Sequence, residues 1–151
     1  MEIRDMGFTE AVNSVLKQNY ANFQGRASRS EYWYYTLFIV VIALVLSGLL
    51  MLGMDFNTGQ VNGFGYVMIA VLAVFYLAIL IPSIAVAVRR LHDRDMSGWW
   101  YLGFIALSMI PFVGFVAAIA QLVIFCLKGT DGDNRFGPDP LRPAARADIF
   151  A

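Results

Sequence analysis

Three long stretches of the chain contain no charged residue. They lie between Glu31 and Asp55, between Asp55 and Arg89, and between Asp95 and Lys128. The three gaps measure 23, 33 and 32 residues, whereas an apolar helix needs only about 20 residues to cross roughly 30 Å of hydrocarbon. The pattern therefore predicts an all-α fold, a multi-pass transmembrane helical bundle.

The first two stretches predict spans over residues 33–53 and 66–88. Ser28 and Glu31 stand at the entry to the first span with the spacing of a capping box, which satisfies free amide groups in the first turn of a helix. Pro82 removes one backbone donor from the second span and predicts a kink near its end. A polar turn between the two spans reverses the chain.

The third apolar run, residues 99–127, allows two geometries. As a single helix its 29 residues would measure about 43 Å, which exceeds the hydrocarbon thickness. It either crosses once as a long, tilted, kinked helix or breaks between Pro111 and Gly114 into a re-entrant hairpin. We favour the single crossing, and hence three spans, because each hairpin arm would be only about 20 Å long. The two geometries put the C-terminus on opposite sides of the membrane.

The N-terminal segment has a different pattern, with apolar side chains at helical spacing between Phe8 and Phe23 and polar residues between them. It predicts an amphipathic interfacial helix, lying on the bilayer or packed under the bundle, and a helix that docks a partner is the alternative. The domain organisation predicted is an N-terminal cytoplasmic segment (1–27), a transmembrane helical domain (28–127) and a tail rich in Gly, Pro and Asp (128–151).

The distribution of basic residues predicts the orientation. Lys and Arg number four before the first span, none in the turn after it and three between the second and third apolar runs. The positive-inside bias therefore predicts that the N-terminus and the loop from Arg89 to Arg94 are cytoplasmic. The net charge is zero, so we expect no nucleic-acid partner. A composition of 59% hydrophobic and 15% charged residues fits membrane lipids as the surrounding partner.

Three polar strings interrupt the apolar background, at residues 25–33, 89–100 and 134–140. They read Gly-Arg-Ala-Ser-Arg-Ser-Glu-Tyr-Trp, Arg-Arg-Leu-His-Asp-Arg-Asp-Met-Ser-Gly-Trp-Trp and Asn-Arg-Phe-Gly-Pro-Asp-Pro. In this order and spacing they resemble the bacterial domain-of-unknown-function family numbered eight hundred and five, over residues 20–140. The resemblance implies a multi-pass protein of the bacterial cytoplasmic (inner) membrane with no assigned biochemical role. It supplies no catalytic or binding residues.

The leading functional hypothesis is a non-enzymatic protein whose Arg-rich cytoplasmic face binds anionic lipid headgroups or a partner protein. Basic side chains and two helix N-termini would converge there; the residues are Arg26, Arg29, Arg89, Arg90, Arg94, Ser28 and Ser97. If the second span continues as helix, Arg89 can also pair with Asp93 one turn away. The interface anchors expected are Trp33, Trp99 and Trp100. A third candidate cluster comprises Asn134, Arg135 and Asp139.

Other readings stay open. Basic and aromatic residues beside spans can simply set topology and packing. A small enzyme acting on a lipid or phosphate-bearing substrate would use His92 with Asp93 or Asp95. An oligomeric transporter or channel, a homo-oligomer and a membrane partner protein are further alternatives. The chain has one His and one Cys, so no metal site, cofactor or catalytic residue is predicted.

Overall fold

The computed structural model describes residues 5–142, and within them the regular structure is helical. The helices are α1 (Phe8–Asn13), a π-helical turn (Ser14–Gln18), α2 (Arg29–Met51), α3 (Gly63–Asp93), α4 (Trp99–Ser108) and α5 (Val113–Cys126). Two isolated bridges, Met54 with Val61 and Asn134 with Gly137, are the sole extended pairings in this part of the chain. The all-α prediction is confirmed.

The long helices α2 and α3 form the frame of the molecule. Their 23 and 31 residues correspond to about 34 and 46 Å of helix. Both are apolar and long enough to cross a membrane, and no other helix of residues 5–142 is. Their middle parts expose large apolar side chains, with Leu44 67% and Leu77 70% exposed, as expected for helices that face lipid rather than water.

The start of α2 agrees with the predicted capping box. The Ser28 hydroxyl accepts a hydrogen bond from the Glu31 amide at 3.1 Å. Helix α3 is longer than predicted, because it continues past Val88 to Asp93. The second polar string therefore begins on the last helical turns of α3, which fixes the directions of its side chains.

A tight turn joins α2 to α3 at one end of the frame. The backbones of Gly53 and Gly65 pack so closely that a Cβ on Gly53 would lie 2.4 Å from the Gly65 Cα atom. The Asn62 side chain caps α3 by accepting from the Gly65 amide at 3.0 Å. We call this part, residues 52–65, the glycine turn.

Pro82 lies inside α3 and leaves the Ala78 carbonyl without its usual donor, because proline has no amide hydrogen. The Tyr20 hydroxyl supplies the missing hydrogen bond to that carbonyl at 2.6 Å. The N-terminal segment is thus attached to the middle of α3.

The third apolar run is divided into α4 and α5, which pack against each other. The chain reverses at residues 109–112, where Phe112 adopts a φ of 63°. Gly114 allows the close return, since a Cβ there would lie 2.7 Å from the Ser108 carbonyl oxygen. The prediction of one long third helix is wrong, whereas the number of membrane spans stays a prediction. The run forms the broken hairpin that was its alternative, with arms of 10 and 14 residues.

The N-terminal helix is shorter than predicted and does not extend to Phe23. Helix α1 and the π-helical turn bury Ala11, Ser14 and Val15 against the frame. Of the two arrangements expected for this segment, the contacts are those of a segment packed under the bundle. Its position relative to a bilayer surface stays a prediction.

Candidate functional site

The three polar strings meet at the end of the frame opposite the glycine turn, and we call this the polar end. The Ala27 amide donates to the Arg89 carbonyl at 3.0 Å, which joins the first string to the second. The Asn134 side-chain amide donates to the His92 carbonyl at 2.9 Å, which joins the third string to the second. Residues as far as 111 positions apart in the chain therefore share one site.

Asp93 is the centre of the polar end. Its carboxylate accepts from Arg26 through Nε at 3.0 Å and pairs with Nη2 at 2.9 Å. It also accepts from Nη1 of Arg90. All three side chains are at least nine-tenths buried. Gly129 packs directly on this carboxylate, because a Cβ there would lie 2.0 Å from Oδ2.

The two arginines also bind the backbone that follows α5. Arg26 donates to the carbonyls of Gly132 at 2.5 Å and Thr130 at 2.6 Å. Arg90 donates to the Phe125 carbonyl at 3.2 Å and to the Leu127 carbonyl. The backbone from Phe125 to Gly132 is thereby held on the polar end. Buried guanidinium groups need this number of acceptors, because each carries five donors.

A second buried ion pair lies beside the first. Both Nη atoms of Arg89 donate to Glu31 Oε1 at 3.0 Å. The same oxygen accepts from the Ser14 hydroxyl at 2.8 Å. The pairing of Arg89 with Asp93 expected from their spacing is wrong, because Arg89 turns toward α2 while Asp93 faces Arg26 and Arg90.

The arginines predicted to bind an anion differ in whether they already pair with groups of the protein itself. Arg26, Arg89 and Arg90 are buried and paired with carboxylates of the protein itself, so a ligand would have to break those pairs to reach them. The Arg94 guanidinium donates to the Lys128 carbonyl. Arg29 is exposed and has no ion pair within residues 5–142.

The serines and tryptophans predicted to belong to the site differ in their contacts and exposure. Ser28 is occupied as the cap of α2, and the Ser97 hydroxyl accepts from the Trp99 amide at 3.4 Å. Trp99 is 78% exposed and Trp100 54% exposed, while Trp33 is half-buried against the core. Their role as interface anchors stays a prediction.

His92 has neighbours other than the two predicted carboxylates. Its Nδ1 atom lies 3.1 Å from the Gly25 carbonyl oxygen. The ring stacks on Phe136, with centroids 4.0 Å apart and an interplanar angle of 3°. Asp93 is held by arginines, and Asp95 pairs with Arg135 at 3.2 Å. In the described part of the chain, neither carboxylate orients the histidine as a general acid–base pair would require.

The third candidate cluster is part of the same polar end. Asp139 is buried and accepts from the Gly132 amide at 3.2 Å and the Leu141 amide at 3.0 Å. Arg135 donates to the Asp95 carbonyl at 2.7 Å. Outside this packed region, exposed Lys128 pairs with Asp131 and lowers the pKa of that carboxyl.

Several contacts had no signal in the sequence. Backbone carbonyls of residues 125–132 act as acceptors, and any residue type can provide a carbonyl. Glu31 was recognised as a capping residue but not as the partner of a distant arginine. One sequence signal for this pairing did exist. Glu31 lies at the entry to a charge-free stretch, and an acidic residue there is costly unless a cation pairs with it.

Comparisons with known proteins agree with the resemblance of the three strings. The family model described as "Protein of unknown function (DUF805)" matches residues 20–138. The inner membrane protein YhaI of Escherichia coli K12 is 40% identical over 129 residues, which cover 84% of this chain and 92% of YhaI. The inner membrane protein YhaH of the same strain is 43% identical, covering 83% and 92%.

The uncharacterized protein YiiR of that strain is 26% identical over 152 residues, covering 89% of this chain and 96% of YiiR. No solved structure matches. The family model covers all three strings except the last two positions of the third, and the relatives align over more than four-fifths of the chain. The relatives YhaI and YhaH are inner membrane proteins by name. The chain belongs to the DUF805 family, which is described as having an unknown function.

Proposed function

We propose that the protein crosses the inner membrane twice, through α2 and α3, and that the α4–α5 hairpin enters the bilayer from the side of the polar end and returns to it. Three observations support this topology. The two long helices are the ones with sufficient length, the hairpin arms would measure about 15 and 21 Å, and both ends of the hairpin lie beside the polar end. The positive-inside bias makes that end cytoplasmic.

Reporter fusions test the topology. A reporter placed in the glycine turn at Thr58 should report a periplasmic position, and one placed after Pro140 a cytoplasmic position. A periplasmic signal after Pro140 would contradict the proposed re-entry of the hairpin.

The function proposed for this site is non-enzymatic binding of an anionic phospholipid headgroup. The observation that carries it is Arg29, the one predicted arginine that is exposed and lacks an ion pair within residues 5–142. It lines an open groove together with Ser30, Trp33, Tyr34, Cys126 and Asp5. A guanidinium beside aromatic side chains suits a headgroup phosphate with its acyl chains running along the apolar wall.

Asp5 lines the same groove, lowers its affinity for an anionic lipid and provides a second test of the proposal. A carboxylate there opposes a ligand with net negative charge, because like charges repel in a site partly screened from water. The two groove charges therefore predict changes of opposite sign: replacing Arg29 weakens retention of an anionic lipid, and replacing Asp5 by Asn strengthens it.

The experiment is lipid retention by the full chain, extracted gently and measured by native mass spectrometry with phosphatidylglycerol added. We expect Arg29→Gln to lower retention about fivefold, the equivalent of roughly 1 kcal/mol for one surface cation near anionic lipid. The matched control is Arg135→Gln, which removes an exposed cation already paired with Asp95. Equal losses in the two variants would contradict the proposal, as would equal retention of phosphatidylcholine.

A further inference from the structure

A second groove lies on a different face of the bundle, between α3 and α4. Its walls are mainly apolar, and none of its nine lining residues carries a formal charge; they are Phe23, Ile84, Val88, His92, Ser97, Gly98, Trp99, Tyr101 and Leu102. The groove runs from the exposed Trp99 at the polar end along the apolar part of α3. It is separate from the groove of Arg29, with which it shares no residue.

Besides the hydroxyls of Ser97 and Tyr101, His92 gives this groove a ring nitrogen whose hydrogen-bonding role can be assigned. The Gly25 carbonyl can only accept, so the Nδ1 atom 3.1 Å away must carry the proton and donate it. In the neutral ring the other nitrogen, Nε2, is then an acceptor with a free lone pair. Nε2 makes no hydrogen bond to the described part of the chain, and Phe136 covers one face of the ring.

Gly98 lies beside this acceptor and leaves it uncovered by a side chain of its own. A Cβ added to Gly98 would lie 3.4 Å from Nε2 and 2.7 Å from a Val88 methyl carbon. Any larger residue would therefore fill the space between His92 and Val88. Because His92, Gly98 and Val88 all line the groove, Nε2 lies at its polar end, with hydrocarbon walls beyond it.

These features select a class of ligand. An uncharged apolar groove disfavours ionised headgroups, whose desolvation would not be offset by a counter-charge. A hydrogen-bond acceptor at one end favours a ligand that carries a donor, which an ester or a ketone lacks. We infer that the groove binds a neutral lipid alcohol of the diacylglycerol type, whose hydroxyl donates to His92 Nε2 and whose acyl chain lies along Ile84, Val88 and Leu102.

The first experiment uses the fact that the chain contains a single histidine. The full-length protein is labelled with ring ¹⁵N-histidine, reconstituted in phosphatidylcholine nanodiscs and titrated with 1,2-dioctanoylglycerol. We expect Nδ1 to be protonated and Nε2 unprotonated before addition, and the Nε2 resonance to move upfield on addition. A proton on Nε2 in the unliganded protein would overturn the inference.

The matched ligand is the 3-acetyl ester of the same diacylglycerol, which keeps the apolar body and loses the donor. We expect it to bind about three- to tenfold more weakly, the range for one net hydrogen bond, and to leave the Nε2 resonance in place. Equal binding and equal shifts for alcohol and ester would overturn the assignment of His92 as the acceptor. Binding of neither compound would overturn the site.

The second experiment fills the groove. Leu102→Trp adds bulk to an exposed lining position, and Leu107→Trp adds the same bulk to an exposed position of α4 outside the groove. The first variant should lower dioctanoylglycerol affinity at least tenfold and the second should leave it unchanged, while the melting temperatures of both indicate intact folding. Unchanged affinity in Leu102→Trp would overturn the location. Because Arg29 is absent from this groove, failure here is distinguishable from failure of the headgroup proposal.

Discussion

The two ends of the α2–α3 pair are joined by opposite means. At the polar end, four charged side chains from α2, α3 and the segment before α2 form two buried ion pairs, Glu31 with Arg89 and Asp93 with Arg26, and Arg90 shares Asp93. At the glycine turn, two residues without side chains bring the backbones into contact. One end depends on the pairing of buried charges, and the other depends on the absence of Cβ atoms at two glycines.

The difference teaches which changes each end tolerates. A buried ion pair adds little net stability over an apolar substitute, but loss of one partner leaves a desolvated charge that is very costly. A close backbone contact is indifferent to charge and sensitive to volume. The polar end is therefore vulnerable to isosteric neutral substitutions, and the glycine turn to one added methyl group.

The largest effect is expected from Asp93→Asn. The substitution keeps the shape of the side chain but leaves Arg26 and Arg90 buried without a counter-charge, so the free energy of unfolding should fall by about 3–5 kcal/mol. Unfolding is followed by circular dichroism in mixed micelles with increasing dodecyl sulfate. The control is Asp95→Asn, which removes one charge of an exposed pair and should cost less than about 1 kcal/mol. Equal losses would mean that burial does not distinguish the two carboxylates.

An intermediate effect is expected from Gly65→Ala at the opposite end. The new Cβ would lie 2.5 Å from a Val61 methyl carbon and 2.7 Å from the Gly53 carbonyl oxygen, so we expect a loss of about 1–3 kcal/mol in the same assay. Gly63→Ala is the matched control, because nothing lies within 4 Å of its Cβ position and alanine favours helix by up to about 1 kcal/mol. A loss in the control as large as in Gly65→Ala would contradict the steric account.

Combining the two substitutions sharpens the comparison between the ends. Gly65 and Asp93 are separated by about 42 Å along α3. The losses in the double variant Gly65→Ala with Asp93→Asn should add within about 0.3–0.5 kcal/mol, as they do for independent sites. A larger deviation would show that the two ends are coupled.

The smallest effect is expected midway between the ends, at Tyr20→Phe. Losing the hydroxyl that serves the Ala78 carbonyl should cost about 0.5–1.5 kcal/mol. In the Pro82→Ala background the new backbone amide can donate to that carbonyl, so Tyr20→Phe should then cost measurably less. An equal cost of Tyr20→Phe in the two backgrounds would contradict the link between the tyrosine and the proline.

The long helices were predictable because a bilayer sets a minimum length for an apolar helix. The charge-free gaps in the sequence exceed that length. The predicted helix boundaries were less accurate where a charged residue pairs with an opposite charge. Arg89 and Arg90 mark the end of a span in a pattern of hydropathy, yet α3 continues through them because Glu31 and Asp93 neutralise them. No local pattern contains that information, since Glu31 and Arg89 are 58 positions apart.

In the third apolar run, the residues that mark a break were recognised, but the expected length of a membrane helix led to the wrong geometry. Pro111 and Gly114 marked the region of the break, but the shortness of each arm argued against a hairpin. The arms are stable at this length because they pack on each other and because Arg90 binds the carbonyls of Phe125 and Leu127. Those acceptors are backbone atoms, which every sequence has, so their use could not be foreseen.

The sequence predicted where the candidate site lies, but it did not predict which of its arginines are exposed and unpaired. Grouping the three strings at one end required only the topology of the first two spans. Which arginine remains available depends on the rotation of α2 relative to α3 and on where the tail returns. Arg29 differs from Arg26 by three positions, and these details leave one exposed and the other buried.

The binding of Arg26 and Arg90 by carbonyls beyond α5 sets an order of events during synthesis. Arg26, Arg90 and Asp93 leave the ribosome before the segment that completes their hydrogen bonds, and the Thr130 amide that donates to the Asp93 carbonyl follows Asp93 by 37 positions. At about 5–20 residues per second, that interval lasts roughly 2–7 s. During it the two arginines must stay hydrated or in the headgroup layer, so the polar end closes only after residues 125–132 have been translated.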